Sequence, residues 1–251
     1  MFVNSYNFVP HYLKKKIYYP ELSEYTGQGL ITLSYDDGRI DNYEIALPLH
    51  EKYGIPLTLN IPTVCITDSM EGRMHAKETR YAYLRGAEIA SHTHSHPFLD
   101  QLIPSHISLE LERSKKILDL YAGGVDSIAI PNSSYDQTTR DIIANTGIYK
   151  AARVYSNEQN PIPVPDLFWI KSSIALDTTH VFETDIKPII DYAVTNNTWC
   201  VLMMHRIMAE PTGSAVTPDM LETILSYIAS LGRSTLLPVH TMRALRFTNG
   251  I

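Results

Sequence analysis

The sequence has few cysteines, no long hydrophobic run and no excess of positive charge. Its 251 residues include only Cys65 and Cys200, which allow one disulfide at most and no cysteine-rich metal site. Polar residues interrupt every apolar run well before the roughly 18 residues that a membrane-spanning helix requires. Lysine and arginine number 21 against 27 aspartate and glutamate, a formal net charge of −6. We therefore expect no membrane span and no nucleic-acid partner.

The N-terminal residues lack the pattern of a secretory signal. Apolar residues there precede the lysine cluster at 14–16, whereas a signal carries its positive charge first. No linker-like segment divides the chain, and 251 residues suit one sizeable core. We expect a single domain over 1–251 with an N-terminal extension over 1–27. The compartment and the oligomeric state stay open.

Short apolar runs alternate with amphipathic segments along the chain. The apolar runs predict strands at 30–35, 56–61, 88–91, 127–130, 151–155, 167–174, 199–204 and 236–239. The amphipathic segments predict helices at 41–53, 105–121, 136–146, 186–196 and 218–231. This alternation predicts right-handed crossovers and a parallel sheet. With about seven such units and no internal repeat, we expect an α/β fold that forms a closed or nearly closed β/α barrel.

Polar residues follow several of the predicted strands directly. Asp36 and Asp37 follow the first, a histidine-rich segment at 92–96 follows the third, and His205 follows the strand at 199–204. In a β/α barrel, the loops after the strands surround one common face, where chemistry is concentrated. We therefore expect these side chains to converge on one site.

The histidine-rich segment can bind a metal ion in two ways. In a helical turn His92 and His96 would share a face, whereas a strand-like bend would favour His92 and His94. Asp36 and Asp37 are neighbours whose side chains diverge, so one can bind a metal while the other acts as a base. Together with His92 and His96, they favour an Asp-His-His metal site. Such a site lowers the pKa of bound water and polarises a carbonyl group.

Three segments, in order along the chain, resemble the motifs of the polysaccharide deacetylases, the NodB-homology family also known as carbohydrate esterase family four. Residues 34–38 (SYDDG) are similar to the T-F-D-D-G motif, and residues 92–97 (HTHSHP) match H-[ST]-x-x-H-P. Residues 202–205 (LMMH) resemble the late L-x-H motif. The resemblance implies a distorted, incomplete (β/α) barrel of about seven strands.

The resemblance also implies roles for individual residues. It makes Asp37, His92 and His96 the ligands of one divalent metal ion, with zinc favoured and cobalt, nickel or manganese as alternatives. Asp36 becomes the general base on the attacking water, and His205 becomes the general acid that protonates the departing amine. The implied activity is the metal-dependent removal of N-acetyl groups from an N-acetylated glycan or glycan precursor. The alternatives are an O-acetyl carbohydrate esterase or other amidase, and a non-catalytic carbohydrate-binding protein.

The sequence departs from the family pattern at the R-x-P-[FY] motif. Residues 129–132 read AIPN, so the arginine that usually holds the catalytic aspartate is absent, and residues 131–135 (PNSSY) fit a variant of the family. We expect Arg153, on the following strand, to supply the missing charge and orient the base. The candidates for substrate or oxyanion contacts are Pro131, Asn132, Ser133, Tyr135 and Trp199.

Two further departures concern the surroundings of the site. The D-x-D-W motif has no clean counterpart, since Asp166 and Asp177 are only weak candidates, and the partner of His205 is unassigned. Arg39 stands where the family has a proline after DDG, which we expect to alter the rim of the groove without affecting the mechanism. The acidic composition argues against strongly anionic polymers and suits neutral N-acetyl sugars.

Overall fold

The computed structural model of the protein describes residues 17–251, so the lysine cluster and most of the predicted N-terminal extension lie outside the described residues. Parallel strands dominate it, with the bounds β1 Gly29–Tyr35, β2 Thr58–Ile61, β3 Glu88–Ser91, β4 Ser127–Ala129, β5 Ala151–Val154, β6 Ile170–Lys171, β7 Ile174–Ala175, β8 Trp199–Met204 and β11 Leu236–Pro238. Their order in the sheet is β6-β5-β4-β3-β2-β1-β8-β7, with β11 also paired to β1. Between β8 and β11, Arg206–Ile207 (β9) and Ala215–Val216 (β10) form a separate two-stranded pair.

Helices connect most of the consecutive strands and cover the sheet. Their bounds are α1 Leu47–Tyr53, α2 Val64–Thr67, α3 Ala76–Arg85, α4 Pro104–Ala122, α5 Gln137–Thr146, α6 Lys187–Asn196, α7 Pro218–Leu231 and α8 Thr241–Asn249. Two π-helical turns, Asn42–Ala46 and Phe182–Ile186, lead into α1 and α6. No helix within residues 17–251 is long and apolar enough to cross a membrane.

The sheet curls into an incomplete barrel, which confirms the predicted fold class. Its described part has nine strands, whereas the family resemblance implied about seven and the apolar runs predicted eight. The ninth arises because the segment predicted as one strand over 167–174 divides between two partners. The Ser172 N–H donates to Val154 of β5, and the next residue, Ser173, donates to Val201 of β8. These two serines carry the chain from one end of the hydrogen-bonded strand path to the other.

The central strands are buried on both faces. Every residue of β1 and of β8 is buried, as expected for a parallel sheet that helices cover. At Gly29, a Cβ atom would lie 2.3 Å from the carbonyl oxygen of Ala193, so α6 can approach β1 only because glycine has no side chain. The first strand is therefore held rigidly, and the residues that follow it are well positioned for a site.

Candidate active site

A polar cavity of about 510 Å³ lies at the carboxyl ends of the parallel strands. Its walls come from the ends of β1, β3, β4, β5, β7 and β8 and from the loops that follow them. After three of these strands, β1, β3 and β8, the polar residues of a site were expected from the sequence. The structure brings together the predicted site residues Asp36, Asp37, His92, His96, Asn132, Ser133, Arg153 and His205. Six strand ends or loops thus contribute to a single pocket, as expected for the carboxyl-terminal face of a β/α barrel.

Asp37, His92 and His96 place three potential ligand atoms next to one another. Asp37 Oδ1 lies 3.2 Å from His96 Nε2 and 3.7 Å from His92 Nε2, and all three atoms lie within 4.8 Å of one another. Ligands bound tetrahedrally to zinc at about 2.1 Å would lie about 3.4 Å apart, so the spacing fits a divalent ion. His92 Nδ1 donates to the Ala129 carbonyl at 2.8 Å. Nε2 therefore carries no proton in the neutral ring, and its lone pair is available to a metal ion.

His92 and His96 come together through a loop conformation that is neither the helical turn nor the strand-like bend considered from the sequence. The loop after β3 is not helical, and its backbone is left-handed at Thr93 (φ +65°) and at His96 (φ +61°). The Thr93 hydroxyl donates to the His92 carbonyl at 2.6 Å and accepts from the His96 N–H at 3.0 Å. His94 turns away, with Nδ1 2.8 Å from the Thr63 hydroxyl. The pairing of His92 with His96 therefore comes from two left-handed residues that fold the loop back.

Glu110 of α4 holds this loop in place. One of its oxygens accepts from the backbone N–H groups of His94 and Ser95 at 2.9 and 2.8 Å, and the other accepts from the Ser95 hydroxyl at 2.8 Å. Three charge-assisted hydrogen bonds from one carboxylate restrain the segment between the two histidines. This role could not be predicted from the sequence, because a glutamate on a helix surface is ordinarily solvated.

Asp37 is held by cations as well as by the histidines. The Arg39 guanidinium donates to Asp37 Oδ2 at 2.9 Å, and Arg73 donates to the Asp37 carbonyl at 2.6 Å. Burial raises the pKa of Asp37, but the hydrogen bond from His96 and the nearby imidazoles outweigh burial and hold it well below its usual range. Arg39 therefore contacts a predicted metal ligand directly, whereas the sequence suggested an effect on the groove rim alone.

Asp36 is buried and forms an ion pair with Arg153. Asp36 Oδ1 accepts from the Arg153 guanidinium and from the Asn60 amide, the latter at 2.8 Å. Only 3% of the surface of Asp36 and 3% of that of Arg153 is exposed. Burial raises the pKa of Asp36, but the charge of Arg153 and the nearby imidazoles together outweigh burial and lower the pKa, so the carboxyl stays ionised. The structure thus places Arg153 against the predicted base, and both contacts fall on one carboxylate oxygen.

His205 follows β8 directly and lines the cavity. Its backbone carbonyl accepts from the Asn42 amide at 2.8 Å, which joins the end of β8 to the turn after β1. Its Nδ1 atom is buried and has no hydrogen-bond partner within residues 17–251. Neither weak candidate from the sequence fills that place, since Asp166 pairs with Arg140 and Asp177 pairs with His180.

The candidates for substrate or oxyanion contacts separate into two groups. Asn132 and Ser133 line the cavity. Pro131 and Tyr135 are not among the lining residues, and the Tyr135 hydroxyl donates to the Phe168 carbonyl at 2.7 Å. The segment at 131–135 therefore reaches the cavity through its middle residues.

Trp199 does not lie at the cavity. It begins β8, at the end of the strand opposite His205, and its side chain is fully buried in a second apolar cluster with residues such as Leu30 and Leu237. Its indole N–H donates to the Thr32 hydroxyl at 3.0 Å. A position at the start of a central strand packs into the core, so the predicted substrate contact is wrong for this residue.

Left-handed backbone is concentrated at the cavity. Among the described residues, seven that are not glycine have a positive φ of this kind: Asp37, Ser69, Thr93, His96, Asn132, Ser133 and Asn197. Five of them belong to the loops after β1, β3 and β4, which supply cavity residues. Such residues cost about 1–3 kcal/mol each and cluster where a fold positions functional groups.

Comparison with known proteins agrees with the geometry. The sequence profile of the family described as polysaccharide deacetylase matches residues 23–151, just over half of the chain. The chain belongs to the polysaccharide deacetylase family. The protein YxkH of Bacillus subtilis (strain 168), described as a polysaccharide deacetylase, is 30% identical over 120 residues. That match covers 47% of this chain and 42% of YxkH, so the chain matches less than half the length of this curated relative.

Solved structures extend the likeness to the polysaccharide deacetylase fold. The Streptococcus pyogenes deacetylase PplD, solved in complex with acetate, is 27% identical with a TM-score of 0.50 over 55% of this chain and 61% of that one. A Mycobacterium smegmatis protein described as a polysaccharide deacetylase has a TM-score of 0.65 and 12% identity, and the match covers 94% of both chains. The second likeness shows that the fold is shared over nearly the whole length.

Proposed function

We propose that this polysaccharide deacetylase is a metal-dependent hydrolase that removes N-acetyl groups from an N-acetylated carbohydrate. One observation carries the proposal: the Asp37, His92 and His96 ligand atoms converge in the same cavity as the Asp36–Arg153 pair and His205. Carboxylate and imidazole ligands with open positions suit zinc, cobalt, nickel or manganese. A divalent ion bound there would polarise the acetyl carbonyl and make a water molecule more acidic.

The residues of the chain supply the proton transfers. Asp36 is kept ionised by Arg153, so it can accept the proton of a water molecule that attacks the acetyl carbon. His205 faces the same cavity and can donate a proton to the sugar nitrogen as the carbon–nitrogen bond breaks. Arg153 then acts as a positioning residue, since it fixes the orientation of the Asp36 carboxylate. The products are acetate and a free amine on the sugar.

The test is acetate release, with and without metal. We expect an N-acetylated chitooligosaccharide to release acetate with added zinc or cobalt, and to release none after chelation. Asp36→Asn should retain metal and lose about 10² to 10⁴ in turnover, the usual loss when a general base is removed. Asp37→Ala should lose the metal itself. Asp177→Asn is the matched control, because that aspartate pairs with His180 rather than with a cavity residue. Full activity after chelation would refute the proposal.

The unpartnered Nδ1 of His205 supports a second candidate, the cleavage of O-acetyl esters. A histidine without a partner at Nδ1 is less firmly oriented as an acid, and an alkoxide leaving group needs less proton donation than an amine. The same assay with an O-acetylated xylan separates the two. N-acetyl activity that greatly exceeds O-acetyl activity would reject the esterase, and the reverse would reject the N-deacetylase.

A further inference from the structure

The charge of the cavity is opposite in sign to that of the whole chain. Three guanidinium groups line it, from Arg39, Arg153 and Arg206, against the two carboxylates of Asp36 and Asp37, so one positive charge is in excess among the lining residues. Asp41, which is not a lining residue, lies 3.7 Å from Arg206 and balances part of that charge. Arg153 is paired with Asp36, and Arg39 uses only one of its nitrogen atoms to bind Asp37. A divalent cation at the ligand cluster would add two more positive charges. The net charge of −6 for the full chain therefore says little about the charge that a substrate meets.

Arg206 supplies the excess charge at the cavity. It follows His205 directly, and the pairing of β9 with β10 fixes its backbone. Its Nε lies 3.7 Å from Asp41 Oδ2, too far for a hydrogen bond, and has no hydrogen-bond partner in the described part of the chain although it is buried. Its side chain is nonetheless 42% exposed, so the guanidinium remains accessible from the cavity. A buried donor without an acceptor is costly, which favours an acceptor supplied by a ligand.

Arg39 lies on the same side of the cavity as Arg206. The charges of both arginines act on Asp41, yet burial prevails and raises the pKa of that carboxyl. Asp41 Oδ1 is already used by the Ile207 N–H and the Asn42 amide. The Nε of Arg39 is likewise buried and has no hydrogen-bond partner within residues 17–251. Two arginines that line the cavity thus each carry a buried Nε donor without a partner in the described part of the chain, and Asp41 is too far from Arg206 to accept its hydrogen bond.

We infer that the cavity selects a substrate with an anionic group, a carboxylate or a phosphate, close to its acetyl group, and that Arg206 with Arg39 binds this group. The inference rests on the proposed function and names the substrate class more closely. Guanidinium groups bind carboxylate and phosphate oxygens through paired N–H donors, which suits this chemistry better than a neutral hydroxyl. It also reverses the expectation from composition that the substrate is neutral.

The test compares three N-acetyl sugars of similar size. They are methyl N-acetylglucosaminide, which is neutral, N-acetylmuramic acid, which carries a carboxylate, and N-acetylglucosamine 1-phosphate. We expect kcat/KM for acetate release from at least one anionic sugar to exceed that of the neutral sugar about tenfold, the order of magnitude of one charge-assisted hydrogen bond. The ratio should shrink in 0.5 M salt because screening weakens electrostatic attraction. Which anionic sugar is preferred distinguishes a carboxylate from a phosphate.

Variants assign the preference to Arg206 rather than to the metal or to overall charge. Arg206→Gln should lower the anionic-to-neutral ratio of kcat/KM about tenfold. Arg113→Gln makes the same change in net charge on the exposed face of α4 and should leave the ratio unchanged. A ratio that persists undiminished in Arg206→Gln would overturn the assignment.

Binding measurements separate the inference from the proposed function. Calorimetric titration of the zinc-loaded protein with the same three sugars reports affinity without turnover. Tighter binding of an anionic sugar, lost in Arg206→Gln, would support the anionic subsite even if no sugar released acetate, an outcome that would refute the deacetylase proposal instead. Equal kcat/KM and equal affinity for all three sugars would overturn the subsite and leave the deacetylase proposal intact.

Discussion

At the residue scale, the buried ion pair between Asp36 and Arg153 gives the sharpest prediction. Arg153→Met removes the cation and leaves an ionised carboxylate buried beside Asn60. We expect the free energy of unfolding to fall by about 3–5 kcal/mol, the usual cost of breaking a buried pair from one side. Urea denaturation at pH 7 measures it. The double variant Arg153→Met/Asp36→Asn should recover part of that loss, because no uncompensated charge remains.

The matched control is the pair between Arg140 and Asp166, which is partly exposed on both sides. Arg140→Met should cost about 1 kcal/mol or less, because water screens an exposed pair and solvates the remaining carboxylate. If Arg153→Met were no more destabilising than Arg140→Met, the buried pair would not be an important contact. Additive losses in the double variant would likewise contradict the proposed coupling between Asp36 and Arg153.

Residues that belong to local motifs could be predicted from the sequence, whereas residues that act only through tertiary contacts could not. Asp37, His92 and His96 could be predicted as a cluster because each follows a strand of one parallel sheet. Asn60 and Glu110 could not, since one lies within a strand and the other on a helix, and nothing near them in the chain indicates their partners. Their contacts depend on how distant elements pack.

At the element scale, α4 restrains the loop that carries two of the predicted metal ligands. Glu110→Ala removes three hydrogen bonds to the segment between His92 and His96. We expect metal affinity to weaken about 10- to 100-fold, the usual effect of losing the groups that orient ligands. Competition with a chromophoric chelator measures it. Glu112→Ala, an exposed change on the same helix, should leave the affinity unaltered, and equal affinities for both variants would contradict the role.

The contact of α1 with β1 predicts a pH dependence of stability. His50 of α1 is buried, donates through Nδ1 to the Ile55 carbonyl at 3.0 Å and accepts the Tyr35 hydroxyl at Nε2 at 2.7 Å. Burial lowers the pKa of His50 to about 4. The unfolded chain binds a proton below about pH 6.5 while the folded protein does not until about pH 4, so His50 lowers stability as the pH falls through that window.

Substitution of His50 isolates this dependence. His50→Gln should have a smaller free energy of unfolding than the unsubstituted protein at pH 7. This difference should shrink by about 2 kcal/mol between pH 7 and pH 5, because glutamine does not titrate whereas the unfolded form of the unsubstituted protein gains a proton on His50. Chemical denaturation at several pH values measures the change. The exposed His106→Gln is the control and should follow the original profile. A deficit for His50→Gln that is constant with pH would show that the buried histidine is not the cause.

The elements that the sequence predicted well are those with strong patterns. The fully buried strands β1 and β8 and the amphipathic α7 lie within a residue of their predicted bounds. The sequence did not predict α3 and α8 because their buried faces are not purely apolar. Thr79 is buried in α3, and Thr241 and Arg243 are buried in α8. The strand predicted over 167–174 divides because Ser172 and Ser173 change partners, a choice that tertiary geometry makes.

At the scale of the whole molecule, metal binding should stabilise the fold. A ligand at 100 times its dissociation constant adds about 2.7 kcal/mol to the free energy of unfolding, because it binds the folded state alone. For a domain of this size we expect the thermal midpoint to rise by about 5–10 °C on saturation with zinc. Differential scanning calorimetry measures it. Asp37→Asn should abolish the rise, and a similar rise in that variant would place the ion elsewhere.

The left-handed residues around the cavity also determine where the sequence can change. Glycine is favoured at such positions, and Gly38 occupies one of them, yet Asp37, Thr93, His96, Asn132 and Ser133 adopt the same conformation with a side chain. A glycine at 133 would relax the backbone but would also loosen the segment that carries Asn132. Stability and precise positioning of the site residues therefore favour different residues at the same positions. Selection for a more heat-resistant enzyme would find its stabilising changes in the helices first and in these loops last.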